Sequence, residues 1–283
     1  MTKSGPLLPA STDPFFTTEG DTYLPGLACR GPWDPASLSG SAIFSLLAWH
    51  IEQNFGSDDY LPARLTVDMY RLPGFSPVTI ETRVVRDGYR IKVIDAEFIS
   101  EGQSMARATC QLLRRTENSA IEVWKPEPWH VPMPENISAT DPGLGAGSTR
   151  ERKPVYGAMG KFGKKAMWLR DTRLFCDDKP ATPYVRVAQV ADFTNPWSNS
   201  GDGGLGYINS DVTLYLHRYS VDDWLGMEVV NHQATDGIAI GQCLIHDRAG
   251  CIGISTVTGL AQKKPAPGPA AASPQIAEES DRP

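Results

Sequence analysis

Residues 65–71 read LTVDMYR and residues 212–218 read VTLYLHR, and the second stretch lies 147 positions beyond the first. The same shift carries residues 65–113 onto 212–260 without a gap. Thr66 falls on Thr213, Arg71 on Arg218, Glu81 on Glu228, Ile91 on Ile238, Thr109 on Thr256 and Leu113 on Leu260. Apolar character agrees elsewhere: Val67 with Leu214, Met69 with Leu216, Ile80 with Met227, Val93 with Ile240, Phe98 with Ile245. A tandem repeat of this size points to two copies of one small fold packed as an internal dimer. Its chemistry is then expected where the halves meet.

Working outward, each repeat is preceded by a helical pattern. Ser41 to Glu52 (SAIFSLLAWHIE) is apolar almost all round, which suits a helix enclosed on every side. Ser39 or Ser41 can cap its start and Gly56 its end. Thr182 to Phe193 (TPYVRVAQVADF) also permits a strand, because of its valines and alternation, and Pro196 is expected to stop either. The repeat favours a helix there. Strands follow over Arg64–Arg71, Val78–Arg86, Tyr89–Ser100 and Ser104–Arg114, then over Ser210–Arg218, Trp224–Gln233, Ile238–His246 and Gly250–Leu260. Asp87-Gly88 and Asp236-Gly237 are hairpin signals, since tight hairpin turns need positive φ at both central residues. The expected class is α+β, a buried helix followed by an antiparallel meander, twice.

The rest of the chain divides around these repeats. Residues 1–20, rich in Pro, Ser and Thr, are expected to form an irregular arm, followed by a first unit over 21–118. Residues 119–155 are dense in Pro and Gly and read as a linker. The second unit spans 156–262, and 263–283 should be a disordered tail. A net charge of −6 argues against a nucleic-acid partner. No apolar run reaches the ~20 residues that span a bilayer. Neither a secretory signal nor a cysteine framework is evident among the five scattered cysteines, which suits reduced thiols in the cytoplasm. His232 and His246 lack ligand spacing with Cys243 or Asp247, so no metal is expected, and nothing calls for a cofactor. A serine hydrolase is disfavoured because no Gly-x-Ser-x-Gly appears.

The segment Asp211–Arg218 (DVTLYLHR) resembles the D-x-S/T-x-x-x-H-R strand of the double-hotdog acyl-CoA thioesterases, the thioesterase II branch in particular. Ala191-Asp192-Phe193 is similar to that family's Ser-Asp-Phe, and Ser255-Thr256-Val257 to its last strand. The resemblance runs over roughly residues 20–262. It implies a double hotdog: two central helices, each wrapped by a curved antiparallel sheet. It also implies hydrolysis of an acyl-CoA thioester by water that an Asp, a Thr or Ser, and a Gln hold together. By the resemblance these positions are Asp192, Asn209 and Thr258, so two of the three differ in type. Leu38-Ser39-Gly40 stands where related sequences often carry His-Gly-Gly, and backbone donors near Gly40 and Ser41 would meet the substrate's oxyanion.

Each of these residues also has a structural reading. Asp192 precedes Thr194-Asn195-Pro196 and could bind turn amides, Asn209 suits a turn, and Thr258 continues a β-favouring run. A non-catalytic acyl-CoA or lipid binder on the same fold is therefore an alternative, and a hotdog hydratase a more remote one. Pairing of such units into a homo-oligomer stays open.

Overall fold

The computed structural model describes residues 13–31, 34, 36–138 and 150–266. Two short strands come first, β1 (Phe16–Glu19) and β2 (Thr22–Pro25), then the long helix α1 (Gly40–Phe55). A meander follows: β3 (Tyr60–Met69), β4 (Val78–Asp87), β5 (Ile91–Ser100) and β6 (Gln103–Arg114). After the intervening segment come β7 (Arg150–Tyr156), β8 (Ala166–Asp171), β9 (Leu174–Cys176) and β10 (Lys179–Pro180). Two helices, α2 (Pro183–Ala191) and α3 (Thr194–Ser198), lead into β11 (Ser200–Gly201) and β12 (Gly204–Asn209). The chain then forms β13 (Asp211–Leu216), β14 (Leu225–Thr235), β15 (Ile238–Asp247) and β16 (Gly250–Ala266).

The sixteen strands among the described residues join one mixed sheet, ordered β10-β9-β1-β2-β4-β5-β6-β3-β13-β16-β15-β14-β8-β7, with β12 also on β16 and β11 on β12. The β3–β13 junction pairs Thr66 with Thr213, Leu65 with Leu214 and Val67 with Val212. The Thr213 hydroxyl donates to Thr66 Oγ1 at 3.1 Å. Thr66 and Thr213, the pair that the 147-residue shift equates, are thus direct cross-strand partners. Registers on either side agree with that shift. Thr66 faces Thr109 while Thr213 faces Thr256, and Glu81 faces Glu97 while Glu228 faces Leu244.

The sheet curves round α1 and α2. Along α1 every residue from Ala42 to Trp49 is buried, as is Ile51. Burying one such side chain stabilises by roughly 1.5–3 kcal/mol, so packing rather than propensity decides this helix. Ser39 is its N-cap, with Oγ accepting from Ala42 N at 3.1 Å, and Gly56 is its C-cap. Ser41 Oγ donates to Gln189 O at 2.8 Å near one end of the helix pair, and Thr182 Oγ1 donates to Glu52 at the other. The two helices are therefore antiparallel, each start beside the other's finish.

Several expectations need correction. Of the arm expected over 1–20, residues 1–12 lie outside the described residues and Phe16–Glu19 form β1, with Phe15 and Phe16 buried against Phe175. Residues 150–155, assigned to the linker, instead belong to edge strand β7 on β8. Earlier in that expected linker, Trp129 stacks on His246 at 4.3 Å and Trp168 Nε1 donates to Pro132 O at 3.0 Å. Strand β16 runs to Ala266, past the expected boundary, while residues 267–283 lie outside the described residues. Pro196 does not end the helical region. It sits in the first turn of α3, where its missing N–H costs nothing. Of the hairpin signals, Asp236-Gly237 has φ of 52° and 80° as expected, whereas Gly88 is not among the residues with positive φ. No helix among the described residues is long and apolar enough to cross a membrane.

Candidate functional site at the start of the first central helix

Asp192 follows the last residue of α2 and keeps helical dihedrals, φ −66° and ψ −25°. Because α2 runs against α1, this places its carboxylate on the first residue of α1. The approach is so close that a Cβ built on Gly40 would lie 2.4 Å from Asp192 Oδ1 and 2.9 Å from its Cγ. Only a glycine leaves the room. Gly40→Ala is expected to lower the melting temperature, with a cost of about 1–3 kcal/mol from overpacking. Helix propensity alone favours alanine by up to about 1 kcal/mol, so a rise in melting temperature would count against the contact.

Two donors meet the carboxylate. Asn209 Nδ2 donates to Oδ1 at 3.1 Å, and the Ser41 backbone N–H is near enough to favour the anion. Burial pushes the Asp192 carboxyl up to about 6, against the pull of Asn209 and of the Ser41 amide. The positive end of α1 also favours the anion, so desolvation outweighs three stabilising influences. The side chain keeps a little surface, which faces a cleft.

Asn209 reaches Asp192 through a bulge. It pairs with Gly259 on β16, whereas Thr213 pairs with Thr256, so one strand spends four steps where the other spends three. The extra residue near Ser210 re-aims the chain between β12 and β13. Asn209 Nδ2 also contacts Asp211 O at 3.4 Å. Ser255 Oγ, fully buried, donates to Ala191 O at 2.8 Å and holds the end of α2 against β16.

Thr258 stands apart from this group. Its side chain is exposed, its N–H donates to Asp211 Oδ1 at 2.8 Å, and its hydroxyl bonds Asp211 as well. Its neighbour Val257 and Ser255 are buried toward the helices, and side chains alternate along a strand, so Thr258 faces the other way. Gln111, equated with Thr258 by the 147-residue shift, lies between buried Cys110 and Leu112 and faces outward too. Asp192, Asn209, Gly40 and Ser41 are thus brought together, and Thr258 is not.

Opening beside Asp192 is a cleft bounded by Ser41, Gln189 and Phe193 on one side and by Leu169, Arg170 and Leu225 on the other. Arg150 pairs with Asp171 at 3.2 Å and Arg186 with Asp223 at 3.3 Å, so much of its cationic rim is already balanced. Gln189 is a polar cleft residue that the sequence reading passed over. Its signal was available: it lies three residues before Asp192, hence on the same helical face. Among the described residues no group of three His, Cys, Asp or Glu side chains could hold a metal ion.

The chain matches the model of the acyl-CoA thioesterase N-terminal domain over residues 29–117 and that of the C-terminal domain over 125–261. No curated protein matches it in sequence. Solved structures share its fold. A thioesterase-like protein from Novosphingobium aromaticivorans is 19% identical, with 88% of this chain and 99% of that one covered at a TM-score of 0.68. A hot dog protein of unknown function from Alicyclobacillus acidocaldarius is 14% identical over 89% and 96%, TM-score 0.66. An acyl-CoA thioesterase II from Mycobacterium marinum is also 14% identical, over 86% and 94%, TM-score 0.62.

Proposed function

The chain belongs to the acyl-CoA thioesterase family, and on that premise we propose that it hydrolyses an acyl-CoA thioester to free acid and CoA. The fold we assign is a double hotdog, supported by the matched registers of the two meanders and by their junction at Thr66 and Thr213. The observation that carries the activity is a carboxyl with a pKa near 6 at the mouth of a cleft, set on a helix start. Near neutral pH that group is largely ionised and still basic enough to take a proton.

In this reading Asp192 orients a water and accepts its proton as the oxygen attacks the thioester carbon. The carbonyl electrons move onto oxygen, and the tetrahedral adduct collapses with cleavage of the C–S bond. The sulfur leaves as a thiolate, a good leaving group because thiols ionise near pH 8.5. Asp192 then returns its proton, so water and thioester become acid and thiol. Asn209, whose amide donates to the carboxylate, fixes its orientation and can accept from the same water. No cofactor enters this scheme.

Release of CoA thiol from acyl-CoAs of several chain lengths tests the proposal. Turnover with at least one chain length is expected. Tight binding without turnover would favour the second reading, an acyl-CoA binder, which draws support from the outward position of Thr258. Thr258→Val is expected to leave turnover within about twofold and to cost about 1 kcal/mol, since the hydroxyl's two hydrogen bonds, to Asp211 and Ser210, are exposed to water. A loss of a hundredfold in that variant would return Thr258 to the chemistry.

A further inference from the structure

Hydrolysis at Asp192 leaves one requirement unmet: a donor for the thioester carbonyl oxygen as it gains negative charge. The start of α1 is already faced by the Asp192 carboxylate, which packs directly on Gly40. Gln189 lines the same cleft three residues earlier on α2, so its side chain projects from the same face one turn away. Its Nε2 is buried and makes no hydrogen bond within the protein. Leaving such a donor unsatisfied is costly, and a bound acceptor would remove that cost. Its backbone is anchored, because Ser41 Oγ donates to Gln189 O at 2.8 Å and ties it to the start of α1. Arg186, a further turn back, also has an unpartnered buried Nε, but its guanidinium is engaged with Asp223 and with Ala181 O.

Resting on the acyl-thioester reading above, we infer that the Gln189 side-chain amide donates to the thioester carbonyl oxygen and steadies it as the oxyanion forms. Residues three apart on a helix have Cβ atoms about 5–6 Å from one another. That spacing lets a carbonyl group sit between the Gln189 amide and a water held by Asp192. A neutral amide suits the task, since it leaves the charge of the neighbouring carboxylate unaltered. The departure at Thr258 then leaves the cleft with a glutamine all the same, supplied by a helix instead of a strand.

The test uses the full chain and two variants close to glutamine in size, Gln189→Met and Gln189→Glu, each lacking the donor. Turnover of the best acyl-CoA substrate is expected to fall about 10²–10³-fold in kcat, the loss typical of one oxyanion donor and larger than any rise in KM. Two non-hydrolysable CoA conjugates provide a second readout. One keeps the carbonyl and replaces sulfur by CH₂; the other is a plain S-alkyl thioether without a carbonyl. Gln189→Met should weaken the first at least fivefold and leave the second unchanged. Unchanged kcat, or equal weakening of both conjugates, overturns the inference while leaving hydrolysis intact. A wild-type protein that neither turns over acyl-CoA nor binds either conjugate overturns the acyl-thioester reading itself, and this inference with it.

Discussion

An Asp247→Ala variant is expected to unfold roughly 6–12 °C below the wild type, the equivalent of about 3 kcal/mol in a domain of this size. Asp247 ends β15 with no side-chain exposure. Both its oxygens are engaged by Arg218, Nη1 to Oδ2 at 2.5 Å and Nη2 to Oδ1 at 2.7 Å. It also accepts the backbone N–H of Val221 at 2.9 Å and of Ala249 at 2.8 Å. Burial pushes its carboxyl up, but Arg218 and these two amides overcome it and hold the pKa below the ordinary value. Because the folded pKa is depressed, this contribution is present above the unfolded carboxylate range, near pH 4, and is lost as pH falls through the folded value. Arg218 is about a quarter exposed and can recover water, which keeps the cost at the lower end for a broken pair. Thermal unfolding near pH 7 measures the difference, and a shift under 2 °C would mean that the pair is structurally idle.

Removing the proposed base should have the largest effect on turnover. Asp192→Ala is expected to reduce kcat/KM for acyl-CoA hydrolysis about 10²–10⁴-fold, the range for loss of a general base. Asp192→Asn should lose nearly as much, since it preserves the contact with Asn209 in size but cannot accept a proton. The folded protein should tolerate Asp192→Asn well, because the carboxylate is held in a desolvated place that penalises its charge. A variant that folds and turns over like the wild type would remove Asp192 from the mechanism.

Much of the fold was legible because repetition multiplies weak signals. Thr66 and Thr213 are unremarkable alone, yet the shift that equates them pointed to two packed copies of one fold, and the two residues pair across β3 and β13. The α2 helix was ambiguous from its valines and became clear only through the helix of the first repeat. What escaped notice depends on long-range burial. Phe15 and Phe16 enter a strand because Phe175, far along the chain, covers them. Strand β7 contains Pro154 and sits near the edge of the sheet, where a missing donor is tolerated.

The site divides along similar lines. Asp192, Asn209, Gly40 and Ser41 converge because two helix ends and the end of β12 bring them together. Thr258 was assigned by its order along the strand, without regard to which face it takes. Counting from the buried pair Ser255 and Val257 would have turned it outward. The mutual fit of Gly40 and Asp192 could not be read from either residue, since it needs the antiparallel helix pair.

The measurement that bears most directly on the central claim is the pH dependence of kcat/KM for CoA-thiol release by the wild-type protein. Asp192 must be ionised to take a proton, and its pKa is about 6. Activity should therefore rise with pH through about 6 and level off above it, and Asp192→Asn should lack that limb. A rate that is flat from pH 5 to 8, or a limb that survives in Asp192→Asn, would contradict the account.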